Sequence, residues 1–142
     1  MYETIFGAIN LVVLPAWALL LLAPGWRWTQ TVAVTVTVAA LSAAYVALLA
    51  FALMTGGGAE GVDFTTMDGV AAIFSHPLGI CAGWAHYLAF DLFVGAWVVR
   101  EARARGVPHL LAVPAIVLCF LAGPAGYLLW RVTRRVRRGR RA

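Results

Sequence analysis

From Thr31 to Met54 the chain runs for 24 residues without a charged side chain, and this run limits the possible folds more than any other feature. About 20 apolar residues span the hydrocarbon core of a bilayer, so the run is long enough to cross one. Its opening, TVAVTVTV, has the β-branched composition of a strand. An isolated strand in lipid leaves its backbone unpaired, however, and a helix is predicted throughout. Thr31, Thr35, Val38, Ser42, Tyr45 and Leu49 then share one helical face, and their small or hydroxylated side chains make it the expected packing face.

Three further stretches have similar character. Thr4–Leu22 contains Pro15 and stops at Ala23-Pro24-Gly25, with Trp26 and Trp28 suited to the headgroup level. Trp84–Val99 is closed by Arg100, Glu101, Arg103 and Arg105. Pro108–Trp130 carries Pro114, Gly123, Pro124 and Gly126. The expectation is an all-α, polytopic membrane bundle of four transmembrane helices, the first and fourth kinked at proline. Residues 70–83, broken by Ser75-His76-Pro77, Gly79 and Gly83, read as a re-entrant or interfacial piece before the third span. Residues 1–130 form one four-span domain and residues 131–142 an arginine-rich cytoplasmic tail.

Composition supports lipid as the solvent. The sequence is 63% hydrophobic and 12% charged, whereas a soluble domain carries about 25% charged residues. All 11 basic residues are arginines, and without residues 131–142 the formal charge falls from +5 to −2. The basic character belongs to a tail next to a span, which suits anionic lipid and not nucleic acid. That tail points to a cytoplasmic C-terminus, and four spans put the N-terminus there too. The loop bearing Arg100, Arg103 and Arg105 then lies outside and the acidic loop of residues 55–69 inside, against the rule. A re-entrant fourth segment would remove the conflict. Cys81 and Cys119 read as small buried apolar side chains. The N-terminus MYETIF has no basic leader, so the first span is expected to be retained.

Ionisable groups inside a span are costly and mark sites of function. His86 and Asp91 of the third span are therefore the expected catalytic pair, transferring protons to and from a lipophilic substrate. Asn10, Trp17, Tyr45, Trp84, Tyr87, Trp97 and Tyr127 are the expected substrate-binding residues. A metal site from His76, His86, His109 and Asp91 is not expected, because its ligands would come from opposite membrane faces, and the sequence leaves any cofactor open.

The run Trp84-Ala85-His86-Tyr87-Leu88-Ala89-Phe90-Asp91-Leu92-Phe93 resembles an element of the abscisic-acid-deficient, neoxanthin-synthase-like membrane protein family. The resemblance continues in order through Leu14-Pro15-Ala16-Trp17, Ala23-Pro24-Gly25-Trp26, Tyr45, Asp63-Phe64, Pro108-His109 and Gly123-Pro124-Ala125-Gly126. It implies a four-helix membrane protein of carotenoid metabolism, in the plastid or, for a chain with this N-terminus and arginine tail, the bacterial cytoplasmic membrane. Plant members are needed to open a carotenoid epoxide to an allene, an isomerisation requiring one acid and one base. Some members are linked to oxidative carotenoid cleavage. The implied partners are a carotenoid, membrane lipids, and a second copy of the chain or a partner enzyme. The alternative readings are a non-catalytic carotenoid- or lipid-binding helper and a small assembly or transport subunit.

Overall fold

The structure, a computed structural model, describes residues 1–139. Arg140 and Arg141 of the expected tail lie outside the described residues. Among the described residues every regular element is helical: α1 (Tyr2–Leu22), a widened segment Thr31–Val38 continuing into α2 (Ala39–Thr55), α3 (Met67–Ile73), α4 (Pro77–Ala104), α5 (His109–Leu121) and α6 (Gly123–Gly139). The TVAVTVTV opening is thus helical, with π-type turns. Three helices are long and apolar enough to cross a bilayer, at 21, 25 and 28 residues. Pro15 and Pro114 both lie inside helices, in α1 and α5.

The helix ends follow from local chemistry. Pro77 occupies the first turn of α4, where its missing N–H costs nothing, and His76 Nδ1 accepts from the Leu78 N–H at 3.2 Å. Gly106, at φ +61°, ends α4 in the left-handed region that glycine tolerates. The carbonyls at the end of α1 and just past it need partners outside the helix. The loop and two neighbouring segments supply them: Thr29 Oγ1 donates to Ala23 O (2.6 Å), the Arg103 guanidinium to Pro24 O (2.6 Å), and His109 Nε2 lies 2.9 Å from Leu21 O.

Helix α4 is the hub, packed against α1, α2, α5 and α6. The helix of Thr31–Thr55 uses a different face from the one its hydroxyl pattern suggests. Ala33, Thr37 and Leu41 are buried, while Thr35 and Ser42 are exposed; Tyr45 is half-buried. Thr35 and Ser42 therefore do not mark the contact here; Ala33, Thr37 and Leu41, one turn apart on another face, do.

The largest departure from the sequence expectation is the fourth crossing. Helix α5 runs antiparallel to α4, bringing Leu121 O within 2.6 Å of the Tyr87 hydroxyl. At Ala122 the chain turns, the Gly123 N–H meets Asp91 Oδ1 (3.0 Å), and α6 returns alongside α4. Tyr127 then reaches Trp97, with ring centroids 5.4 Å apart, and the Trp130 indole donates to Glu101 near the end of α4. Asp91 lies halfway along α4, so α5 and α6 form a hairpin that enters the bundle and turns back. The apolar stretch is long enough for one span, but Gly123-Pro124 breaks it after 13 residues of α5. At about 1.5 Å per residue those 13 residues reach only ~20 Å, short of a ~30 Å core. Trp130, at the end of the expected fourth span, is fully buried.

Gly126 allows the hairpin to close. A Cβ there would collide with Cys119 and lie 2.6 Å from Ala115 O, a backbone atom that cannot yield cheaply. Gly126→Ala should therefore destabilise the protein by roughly 1–3 kcal/mol, the usual cost of overpacking. Gly7→Ala, with open space around it, should be neutral or stabilising, because alanine is the better helix former. Thermal melting in detergent measures both. Equal melting temperatures for the two variants would contradict the hairpin packing.

Candidate functional site

The sequence places His86 and Asp91 five residues apart on α4, about 140° around an ideal helix. Neighbouring helices separate them. Asp91 faces α5 and α6 and is 4% exposed. One oxygen accepts from the Gly123 N–H at the start of α6, and the other, Oδ2, has no partner among the described residues. A carboxylate against a helix N-terminus is favoured both by the free N–H groups and by the helix dipole. His86 is exposed on the far side of α4, between the rings of Tyr45 (5.5 Å) and Phe90 (4.7 Å). The structure does not bring the expected catalytic pair together.

A groove of about 310 Å³ opens between α1 and α4 below the hairpin turn, lined by Asn10, Val13, Trp84, Tyr87, Phe120 and Leu121 among others. Three of the expected binding residues meet there. Asn10 Oδ1 accepts from Trp84 Nε1 at 3.0 Å, and its amide donates to Phe6 O at 2.8 Å. Asn10 is thereby fixed, and it fixes the indole in turn. Phe6 stacks on Trp84 (5.8 Å) and Trp84 on Tyr87 (5.2 Å, planes 14° apart), forming a ladder of three near-parallel rings.

The other expected binding residues lie elsewhere. Trp17 is buried behind the groove, edge-on to Phe120 at 5.4 Å, against a point on α4 where only Gly95 leaves room for its ring. Tyr45 is with His86. Trp97 and Tyr127 pair on the α4–α6 side, where the Arg131 guanidinium covers the Tyr127 ring. His76 sits at one end of α4 beside Tyr2 and His109 at the other beside Leu21. No three metal-ligating side chains converge among the described residues. Cys81 and Cys119 are both buried and free.

Two groups of functional weight escaped the sequence reading. Phe120 lines the groove and Phe6 stacks on Trp84 beside it, yet nothing distinguishes them from other apolar residues of their runs. Glu101 had been grouped with the charges closing a span. It instead accepts from Trp130, Arg105 and Arg134, with Arg134 at 2.5 Å, and so holds α6 to α4.

A profile of the ABA DEFICIENT 4-like family matches residues 4–130. The chain belongs to that family. The match includes the groove, Asp91 and the whole hairpin turn. No match was found among curated proteins or solved structures.

Asp91→Ala should leave the Gly123 N–H buried without an acceptor, costing about 1–3 kcal/mol. Asp91→Asn keeps an acceptor and should lose less than half as much. Melting of the two variants in detergent checks this order, and the reverse order would remove Asp91 from the role of cap.

Proposed function

We propose that the chain is a membrane protein of carotenoid metabolism that receives a carotenoid in the groove between α1 and α4. The observation carrying this reading is the Phe6–Trp84–Tyr87 ladder. A conjugated polyene is flat, stiff and apolar, and parallel aromatic faces bind such a surface with little loss of side-chain freedom. The groove volume is at the low end for ligand pockets, so it suits one end of a carotenoid while the remainder lies in the acyl chains. Asn10 and the Tyr87 hydroxyl are the polar groups beside an oxygenated ring. Family membership supports the carotenoid assignment.

A finer reading, epoxide isomerisation, draws support from Asp91, one helical turn from Tyr87 and with one carboxyl oxygen unpartnered. In that reading Tyr87 and Asp91 supply the acid and base, and His86, across α4, takes no part. A non-catalytic carotenoid-binding helper uses the same groove without Asp91 chemistry. Turnover by the purified protein separates them: under the isomerase reading Asp91→Asn should lose roughly 10²-fold or more in rate, with bound pigment unchanged.

For binding itself, Trp84→Ala should reduce carotenoid retained through purification by about 10-fold or more, given ~1.5–3 kcal/mol for a large buried side chain. His86→Ala, on the other side of α4, should retain pigment normally. The measurement is pigment absorbance per folded monodisperse protein. Normal retention in Trp84→Ala would place the ligand elsewhere.

A further inference from the structure

The hairpin redistributes charge between the two ends of the bundle. At one end, Arg103 is bonded to Pro24 O, in the turn that also carries Arg27. Glu101 gathers Arg105 and Arg134, joining the α4 terminus to α6. Arg131 and Arg135 flank Arg134 on α6, and Arg100 precedes Glu101. Every arginine from Arg27 to Arg135 is therefore at this end, with Glu101 as the only nearby carboxylate among the described residues. Trp26 and Trp28 are 49% and 46% exposed beside them, as side chains at a headgroup boundary are.

The other end is acidic. The Tyr2 carbonyl accepts from Cys81 and its ring meets His76, which places Glu3 by the start of α4. Glu60, Asp63 and Asp68 lie in the segment leading there from α2. The Thr65 hydroxyl and N–H both donate to Asp63 Oδ1, at 2.7 and 2.8 Å, and hold its carboxyl below its ordinary pKa, so it stays charged. No arginine from Arg27 to Arg135 is at this end.

We infer that the arginine-bearing end docks against an anionic phospholipid leaflet, with the α5–α6 hairpin entering and leaving the membrane on that face and the N-terminus on the other. Guanidinium groups pair with phosphate oxygens in a fork geometry, and anionic lipid adds a surface potential that draws them in. A fourth crossing would send the arginines of α6 to the acidic end, apart from Glu101. Three crossings and a hairpin bring all of them to one leaflet.

The test uses the full chain in a bacterial cytoplasmic membrane, with Cys81→Ala and Cys119→Ala to remove the native thiols. Single cysteines are then introduced at exposed positions as Val62→Cys, Ala104→Cys and Arg135→Cys, and labelled with a membrane-impermeant maleimide. Position 62 should react in intact cells. Positions 104 and 135 should both react only in inverted vesicles. Labelling of 104 and 135 from opposite faces would overturn the hairpin topology, and labelling of both from outside would overturn the docking of the basic end. As a lipid probe, the purified protein should melt higher in phosphatidylglycerol micelles than in phosphatidylcholine. That difference should vanish near 1 M salt, where the Debye length falls to about 3 Å. Equal melting in the two lipids at low salt would remove anionic lipid as the partner.

Discussion

A helix that turns inside hydrocarbon leaves backbone donors and acceptors that lipid cannot satisfy, each costing several kcal/mol. The protein meets that constraint with α4. At the turn, Asp91 takes the first N–H of α6 and the Tyr87 hydroxyl takes a carbonyl at the end of α5. The same helix that spans the bundle thus carries a carboxylate and a phenol, one turn apart, where the hairpin needs an acceptor and a donor. Without them the short α5 would have no stable end inside a membrane.

The rest of the architecture follows from this arrangement. Because α5 and α6 fill one side of α4, α1 and α2 are confined to the other, and a groove remains where α1 meets the hairpin turn. Tyr87 contributes to both: its ring ends the aromatic ladder and its hydroxyl secures α5. Binding surface and hairpin support are therefore mechanically joined at one residue. At the mouth, Glu101 performs the corresponding task for α6, accepting from Trp130 and Arg134 of α6 and from Arg105 just past α4.

Much of this was legible in the residues. Three of the four apolar runs are helices long and apolar enough to cross a membrane, and the cost of a buried carboxylate pointed to Asp91. Asn10, Trp84 and Tyr87, singled out as polar or aromatic groups within the spans, line one groove. The hairpin was harder to read, because Pro108–Trp130 has the length and composition of a span, and a Gly-Pro break is compatible with either a kink or a reversal. The conflict of the arginine loop with the arginine tail was the available signal, and the structure brings Arg103 and Arg105 of the loop and Arg134 of the tail to one end. The face of α2 misled because threonine and serine are tolerated against lipid as well as between helices. His86 misled for a related reason: helical spacing shows that two side chains diverge, but only the neighbouring helices determine which of them is enclosed.

The position of the hairpin in the chain bears on how the protein is assembled. Residues 109–139 are made after Tyr87, Asp91 and Glu101, the groups that receive them. During synthesis, therefore, α4 can be inserted and packed against α1 and α2 before α5 leaves the ribosome. The hairpin then meets a prepared surface and need not persist alone in the bilayer. The reverse order would leave the least self-sufficient element waiting for its support. Biogenesis can thus proceed from the N-terminus forward, with each segment able to rest on one already in place.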